Sequence, residues 1–301
     1  MSGVMDERQL FEIEAPSPVS LADKFGVPPM SVLDCRTGDW QDRKRRWLSL
    51  GMESEVGRAD DLLYTRATAT DPVSLKLLDA GGTSIFDPVL CELAYRWHTL
   101  PGDRILDPFA GGSVRGIVAS TLARWYGEQI EANEAQAHLG SDIAPRWIQG
   151  DSVRLSDHLD PADEFDLVFS CPPYADLEVY SDNPRDLSRM PYEEFREAHA
   201  RIIAAATARL QNDRFAAWVI SDVRDKRGAY RGLVVDTIRA FEAAGLSFHN
   251  DAVILNATAT AGLRAERPFR ATRKLTRVHQ HLLIFVKGDA KRAATRLEDA
   301  A

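Results

Sequence analysis

The chain has 301 residues, 45% of them hydrophobic, which is enough for one large α/β domain with additions or for two small domains. No run of about 18 apolar residues occurs and the first residues are charged, so the sequence predicts a cytoplasmic protein without a membrane partner. Three scattered cysteines without C-x-x-C spacing favour neither a disulfide framework nor a metal site. The net charge of −8 weakly disfavours nucleic acid as a partner, although the local distribution of charge matters more.

The chain divides into three predicted parts. Residues 1–78 have weak periodicity and no strong strand signal, so we interpret them as an accessory segment; residues 79–290 form the predicted main domain and 291–301 a tail. In chain order, the predicted elements are a helix over 88–97, a strand over 104–107, a helix over 114–124, a strand over 165–170, a helix over 192–210, a strand over 215–223, a helix over 233–244, and strands over 252–256 and 281–288. This alternation predicts an α/β fold with a doubly wound, mostly parallel sheet, a small N-terminal appendage and an antiparallel pair at its edge.

A glycine loop follows the first predicted strand. The residues are Asp107, Pro108, Phe109, Ala110, Gly111, Gly112 and Ser113. Glycines at a strand-to-helix turn let the backbone approach a ligand closely. The loop lacks the lysine of a P-loop and the G-x-G-x-x-G spacing of dinucleotide folds, so a phosphate-binding role is disfavoured, while an ordinary turn remains the alternative.

A second motif, Cys171-Pro172-Pro173-Tyr174, ends the buried strand predicted over 165–170. Consecutive prolines remove two backbone donors and leave rigid carbonyls, and ligands of α/β folds bind at this edge of the sheet. An exocyclic amino group is a poor nucleophile because its lone pair is delocalised into the ring. Acceptors near Pro172 can take its N–H bonds, and Tyr174 can stack on a base extruded from a duplex.

The two motifs together resemble those of a known family. The loop from Asp107 is similar to the cofactor motif, and the Cys171–Tyr174 motif to the catalytic motif, of the N6-adenine/N4-cytosine DNA methyltransferases, especially phage and prophage members. The resemblance covers about 84–288, with the cofactor motif first. It implies a Rossmann-like enzyme that uses S-adenosylmethionine to methylate N4 of cytosine or N6 of adenine in a base flipped out of double-stranded DNA.

The resemblance also implies the site residues. The segment 84–90 is similar to the one that cups the methionine part of the cofactor, Gln149–Ser152 to the one whose acid contacts its adenine amino group, and 279–288 to the closing strand. The implied cofactor-binding residues are Phe86, Asp87, Asp107, Pro108, Phe109, Ala110, Gly111, Gly112, Glu128, Asp151 and Ser152. The implied catalytic residues are Cys171, Pro172, Pro173 and Tyr174.

Two departures from the family pattern affect this hypothesis. The family has Asp, Asn or Ser before Pro-Pro, whereas Cys171 carries a thiol, a weak acceptor that leaves the target base undecided. Ser170 is an alternative contact, although strand alternation points it the other way. The second strand is predicted to be shortened or absent, and Glu128, about 20 residues after Asp107, is the surrogate for the acid that binds the ribose, with a helix first-turn acid as the alternative.

Two basic clusters and a polar loop remain. The segment 257–278 is predicted to be a DNA-contacting insertion, because it contains Arg264, Arg267, Arg270, Arg273, Lys274 and Arg277 against one acid, Glu266. Residues 43–46 form a second cluster, flanked by Trp40 and Trp47. Both could instead be solvated surfaces. The loop Asp222–Gly228 is expected near the substrate entrance, and the pair His279 and His281 lacks the partners of a zinc site.

Two other functions compete with DNA amino-methylation. The same chemistry on another acceptor, an RNA guanine amino group or a protein glutamine amide, also uses an X-P-P-Y motif. A catalytically silent DNA-binding or cofactor-sensing relative is the second, since Cys171 and the predicted loss of the second strand could both weaken catalysis.

Overall fold

The computed structural model describes residues 20–49, 86–112, 114–122, 124–128, 145–177, 183, 185–256 and 261–298. The chain forms two compact units, Met1–Met30 and Ser31–Ala301. In the first unit, the described residues hold the short helix α1 (Leu21–Phe25). Its N-cap is Ser20, whose hydroxyl accepts a bond from the Asp23 backbone N–H while the Asp23 carboxylate accepts from the Ser20 backbone.

The second unit is built on one sheet. Its described strands are β1 (Val32–Asp34), β2 (Arg104–Asp107), β3 (Arg124–Glu128), β4 (Arg146–Ile148), β5 (Phe165–Ser170), β6 (Leu210–Ile220), β7 (Ser247–Leu255) and β8 (His279–Lys287). Their order is β1-β7-β8-β6-β5-β2-β3-β4. All pairs are parallel except those of β8, which runs antiparallel to both β6 and β7. The fold is therefore doubly wound and mostly parallel, as predicted.

Helices flank the sheet. Those described in the second unit are α2 (Gly38–Leu48), α3 (Pro88–His98), α4 (Val114–Leu122), α5 (Leu155–His158), α6 (Tyr192–Ala208), α7 (Leu233–Ala243), α8 (Ala261–Thr272) and α9 (Ala290–Glu298). The α3 helix begins at Pro88, whose missing N–H is not needed in a first turn, and the Asp87 carboxylate caps it by accepting from the Val89 N–H. All six residues of β5 are buried, as expected of a central strand covered on both faces.

The core lies between the sheet and its helices. The Trp218 and Phe285 side chains, from β6 and β8, are fully buried, and the Phe285 ring stacks on the Phe241 ring of α7 with centroids 3.9 Å apart. The Phe195 and His199 rings of α6 stack on the same side of the sheet as Trp218. The Trp218 indole N–H donates to His199 Nε2 at 3.2 Å, so this buried donor is satisfied.

The structure shows where several of the predicted segments lie. The two compact units divide after Met30, while β1 pairs with β7 and α2 packs on α3. Residues 31–49 therefore belong to the main fold. The predicted tail at 291–301 is mostly the helix α9, held by ion pairs from Arg292 to Asp213 and from Arg296 to Asp103.

Two predictions about the sheet also change. The second strand is present, because β3 has five residues and pairs with both β2 and β4. The antiparallel pair β7 and β8 exists as predicted, but it is not the edge, since β1 extends the sheet beyond β7. A three-residue strand such as β1 has too few residues for a visible alternation pattern, so only its partner determines it.

Candidate active site

The two motifs found in the sequence meet at one edge of the sheet. The β2 strand ends at Asp107 and its neighbour β5 ends at Ser170, with Leu106 paired to Val168. The carboxyl ends of parallel strands lie at the same edge, so the glycine loop and the Cys171–Tyr174 motif are adjacent. The Ser170 hydroxyl donates to Asp107 Oδ1 and links them directly. Ser170 is fully buried whereas Cys171 is partly exposed, and the predicted contact of Cys171 with a substrate stays a prediction.

Asp107 anchors the glycine loop from below. Its carboxylate is fully buried, accepts the Phe109 N–H at 3.0 Å and receives Arg115 Nε at 2.5 Å. Burial by itself lowers the pKa of the Arg115 guanidinium, but the charge of Asp107 outweighs it, so that pKa lies above its ordinary value. Because the Asp107 oxygens are occupied by protein donors, the carboxylate shapes the loop, and its predicted cofactor contact stays a prediction.

Arg115 also binds the loop backbone. Its guanidinium donates to the carbonyl of Ala110 at 2.7 Å and to that of Phe109. On the other side, the Ser152 hydroxyl donates to the Pro108 carbonyl at 2.6 Å. Gly111 then turns outward with φ of +57°, a left-handed conformation that glycine adopts without strain, and it is exposed. Side chains on the buried side of the loop thus hold its carbonyl groups, and the backbone is exposed at Gly111.

The remaining predicted cofactor residues surround this loop to different degrees. The Phe86 ring lies under the Arg115 guanidinium at 4.8 Å, whereas Phe109 points inward to Trp218. Asp87 caps α3 and also accepts from the Trp40 indole at 3.2 Å. Asp151 caps the 3-10 turn Ser152–Arg154. Predicted residues Ser84, Ile85 and Ser113 lie outside the described part of the chain.

Glu128 ends β3 next to the glycine loop. Asp107 pairs with Gly127 across the two parallel strands, so the last residues of β2 and β3 lie side by side at the same edge. This is the strand end where an α/β fold carries an acid for a ribose. The alternative reading of Glu128 as a helix first-turn acid is wrong, because the residue belongs to a strand.

The polar side chains of the Cys171–Tyr174 motif are less buried than those beneath the loop. Cys171 Sγ lies 3.5 Å from the Tyr174 hydroxyl, which in turn donates to Gln280 Oε1 of β8 at 3.4 Å. The bond between the Tyr174 hydroxyl and Gln280 is long for an O–H···O bond. Pro172 is buried, and Ala175 follows with φ of +51°, a strained conformation for a residue with a Cβ. Sequence reasoning missed Gln280, whose only signal was its place in the predicted closing strand.

The loop after β6 borders this motif, as predicted for Asp222–Gly228. Arg231 pairs with Asp176, just beyond Tyr174, at 2.9 Å. The Arg224 guanidinium stacks on the Tyr230 ring at 3.6 Å, and Arg277 approaches the same ring at 5.0 Å. These contacts join the loop to the end of the basic segment. Tyr230 and Arg231 were not singled out from the sequence, because only the fold brings them to the site.

The basic segment leaves the sheet at the same edge. Since β7 runs parallel to β6 and β8 returns antiparallel, the connection between them lies at the carboxyl end of the parallel strands. Much of it is the helix α8, in which Arg267 and Arg270 are exposed and Arg270 pairs with Glu266 at 2.8 Å. Arg273 approaches the Phe269 ring. The Arg264 side chain and residues 257–260 lie outside the described residues.

The second basic cluster, residues 43–46, has a structural role at two of its positions. Lys44 lies 3.3 Å from Asp87, and Arg43 lies 3.7 Å from Glu92 of α3. The flanking Trp47 donates to Glu92 at 2.8 Å and Trp40 is buried. The cluster therefore packs α2 against α3 instead of forming a uniformly solvated surface.

Within the described ranges, no group of three or more His, Cys, Asp or Glu side chains is arranged to hold a metal ion. His281 is bonded to Asp251 at 3.0 Å and His279 to Arg277 at 3.1 Å. Among the helices that the structure describes, none is both long and apolar enough to span a bilayer.

Comparisons with known proteins give similar folds but no family. No protein-family model matches the chain, and no curated protein matches it in sequence. Among solved structures, TrmN of Thermus thermophilus is 16% identical over 73% of this chain and 55% of its own, with a TM-score of 0.44. TTHA0409 of the same species, provisionally described as a DNA modification methylase, is 18% identical over 46% of this chain and 51% of its own, with a TM-score of 0.34.

A third structure is the magnesium protoporphyrin IX methyltransferase ChlM of Synechocystis PCC 6803, crystallised with S-adenosylmethionine. It is 15% identical over 81% of this chain and 90% of its own, with a TM-score of 0.40. The chain spans only about half the length of TrmN and TTHA0409. At such low identities and TM-scores these likenesses give no information on the substrate, and the doubly wound fold follows from the strand order itself.

Proposed function

We propose that this chain is an S-adenosylmethionine-dependent methyltransferase that modifies an exocyclic amino group, N4 of cytosine or N6 of adenine, of a base in DNA. The observation that carries the proposal is the adjacency of the glycine loop and the Cys171–Tyr174 motif, joined by the Ser170–Asp107 bond at the carboxyl edge of the sheet. One motif alone is a common turn. Together they place a ligand-binding backbone beside a group suited to an amino substrate.

The residues present fit the cofactor. S-adenosylmethionine supplies an electrophilic methyl group. The open backbone at Gly111 offers close approach, Glu128 ends the neighbouring strand where a ribose acid is expected, and Phe86 and Asp151 border the loop. Replacing Gly111 by Val should abolish cofactor binding, because a branched residue is strained at this φ and blocks the approach. Gly102→Val, with φ of +91° in a turn at the opposite end of β2, is the matched control for strain alone.

The protein groups would act on the amino nitrogen and the base. Tyr174 stacks on a base that has left the duplex, and the Pro172 carbonyl and Cys171 lie where acceptors for its N–H bonds are needed. Accepting these bonds concentrates the lone pair on nitrogen. When bound, S-adenosylmethionine would supply the methyl group by breaking its S–CH3 bond and would leave as S-adenosylhomocysteine, while the amino nitrogen would release one proton to solvent. Orientation of the two reactants supplies much of the acceleration.

Charge at the site edge supports a nucleic-acid substrate. The basic segment and the Arg224–Tyr230–Arg277 contact both lie at the edge that carries the motifs. Guanidinium groups next to an exposed aromatic ring suit phosphates and unstacked bases. This local surface outweighs the net charge of −8 as an indication of the partner.

The decisive experiment measures transfer from radiolabelled S-adenosylmethionine to duplex DNA, RNA and a glutamine-containing peptide, followed by mass spectrometry of the nucleosides. We expect N4-methylcytosine or N6-methyladenine from DNA. Label found only in RNA or only in the peptide would show that DNA is not the substrate, while the proposed methyl transfer to an amino group would still hold. Binding of cofactor and DNA without transfer would make the chain a silent relative.

A further inference from the structure

The weakest part of the proposed catalytic motif is the acceptor at Cys171. A thiol is a poor hydrogen-bond acceptor compared with a carboxylate or an amide oxygen. Ser170 cannot replace it, because its hydroxyl is buried and donates to Asp107. An amino group placed over Tyr174 would therefore meet one good acceptor, the Pro172 carbonyl, where two N–H bonds must be accepted.

A second acceptor reaches the same place from β8. Gln280 lies one residue before His281, which pairs with Ile220, the last residue of β6. It therefore stands just beyond the carboxyl end of β6, at the active-site edge. Its Oε1 atom lies 3.4 Å from the Tyr174 hydroxyl, and that hydroxyl lies 3.5 Å from Cys171 Sγ. Three side chains from two strands thus meet around one point.

The Gln280 oxygen is available to a substrate. A bond of 3.4 Å is longer than the roughly 2.5–3.0 Å of a good O–H···O bond, so little is lost when it is exchanged. The oxygen has two lone pairs and the residue is only partly buried. The amide also carries donors beside its acceptor. That pattern matches the Watson–Crick edge of adenine or cytosine, where an amino group stands next to a ring nitrogen that accepts.

We propose that Gln280 is a catalytic residue: its Oε1 accepts one N–H of the target amino group, and its amide N–H donates to the adjacent ring nitrogen. This role rests on the proposed function. Gln280 supplies the acceptor that Cys171 lacks, while the Tyr174 ring stacks on the base. An amide can therefore bind the Watson–Crick edge of adenine or cytosine through two hydrogen bonds at once.

The test is a double-mutant cycle on the transfer rate. Gln280→Met removes both polar atoms at similar volume and should lower kcat by about 10- to 100-fold, the loss expected for one unmet bond to the reacting group. The cofactor dissociation constant and the melting temperature should stay unchanged. Adding Cys171→Asp to Gln280→Met restores an acceptor and should recover at least about tenfold of kcat. Gln211→Met, the same change at the far end of β6, is the matched control and should leave kcat unchanged.

The outcomes separate this role from the proposed function. If wild-type protein transfers no methyl group to any amino substrate, the proposed function fails and the role of Gln280 falls with it. If wild-type protein is active and Gln280→Met keeps its kcat, only the role of Gln280 is overturned. Joint loss of melting temperature and cofactor affinity, with no rescue by Cys171→Asp, would also overturn it, because a structural role predicts that result.

Discussion

The two halves of the candidate site, the glycine loop and the Cys171–Tyr174 motif, differ in the burial of their polar side chains and in the lengths of their described hydrogen bonds. The glycine loop is fixed by a buried ion pair at 2.5 Å and by a hydroxyl bond at 2.6 Å, with Asp107 fully buried. The Cys171–Tyr174 motif is held by bonds of 3.4 and 3.5 Å between partly exposed side chains. A cofactor of constant shape suits a preformed loop, whereas a base that must enter from a duplex suits adjustable contacts. The difference agrees with the proposal that the glycine loop binds the cofactor and the Cys171–Tyr174 motif binds the base.

The largest expected effect comes from removing the buried ion pair between Arg115 and Asp107 beneath the glycine loop. Arg115→Met leaves the Asp107 carboxylate buried without its cation, which should cost about 3–5 kcal/mol in the free energy of unfolding. Any folded fraction should bind cofactor poorly, because the loop carbonyls lose their donor. Chemical denaturation and calorimetry measure both quantities. Arg196→Met, which breaks an exposed pair with Glu193, is the control and should cost less than about 1 kcal/mol. Equal costs for the two variants would contradict a special role for the buried pair.

Acid should lower the free energy of unfolding, because the core contains two buried histidines, His98 and His199. Burial lowers the pKa of His98 from 6.5 to about 4 and that of His199, which stacks near Phe109 and Trp218, to about 3. Below pH 6.5 the unfolded chain takes up protons that the folded chain refuses, so stability falls as pH falls. The slope should be about 1.4 kcal/mol per pH unit for each histidine.

Denaturation by urea between pH 7.5 and pH 5 gives this slope directly. The loss from His98 should continue to about pH 4 and that from His199 to about pH 3. The variant His98→Gln/His199→Gln should show a flatter profile than wild type between pH 6.5 and pH 5. A wild-type stability that stays constant over that interval would contradict the prediction.

The role of the Cys171–Tyr174 motif is tested by substitutions at Tyr174. Tyr174→Ala should lose about 1–3 kcal/mol of base stacking, seen as a lower transfer rate, whereas Tyr174→Phe should keep most of it. Cofactor binding should survive both changes, because the described bonds of the Tyr174 hydroxyl go to Cys171 and Gln280. The melting temperature, the cofactor dissociation constant and the transfer rate are measured together. Equal activity of the two variants at unchanged stability would remove the stacking role.

The smallest effect per residue is expected from the basic segment. Neutralising Arg270, Arg273 and Lys274 together should weaken binding to all DNA sequences and flatten the salt dependence by roughly 2–3 units of slope. Melting temperature and cofactor affinity should not change, since Arg270 and its partner Glu266 are exposed. An unchanged slope in a DNA-binding assay would show that the segment is a solvated surface.

Strong local patterns let the sequence predict much of the fold. The strands β5, β6 and β8 each contain an apolar run that the sequence shows, and the helix before β2 carries a clear start signal, Pro88 after Asp87. The order of these elements determined a doubly wound sheet. The two motifs were recognisable because glycine and consecutive prolines impose backbone conformations wherever they occur.

Tertiary structure decided what depends on partners distant in the chain. The β1 and β4 strands have three residues each and form only because longer strands accept them at the edges. Asp107 became a buried anchor because Arg115 and Ser170 reach it from two elements. Gln280 entered the site because β8 runs antiparallel between β6 and β7, which brings its first residues to the carboxyl edge of the parallel strands. Local periodicity fixes which element a residue joins, but only pairing and burial fix which distant residues it meets.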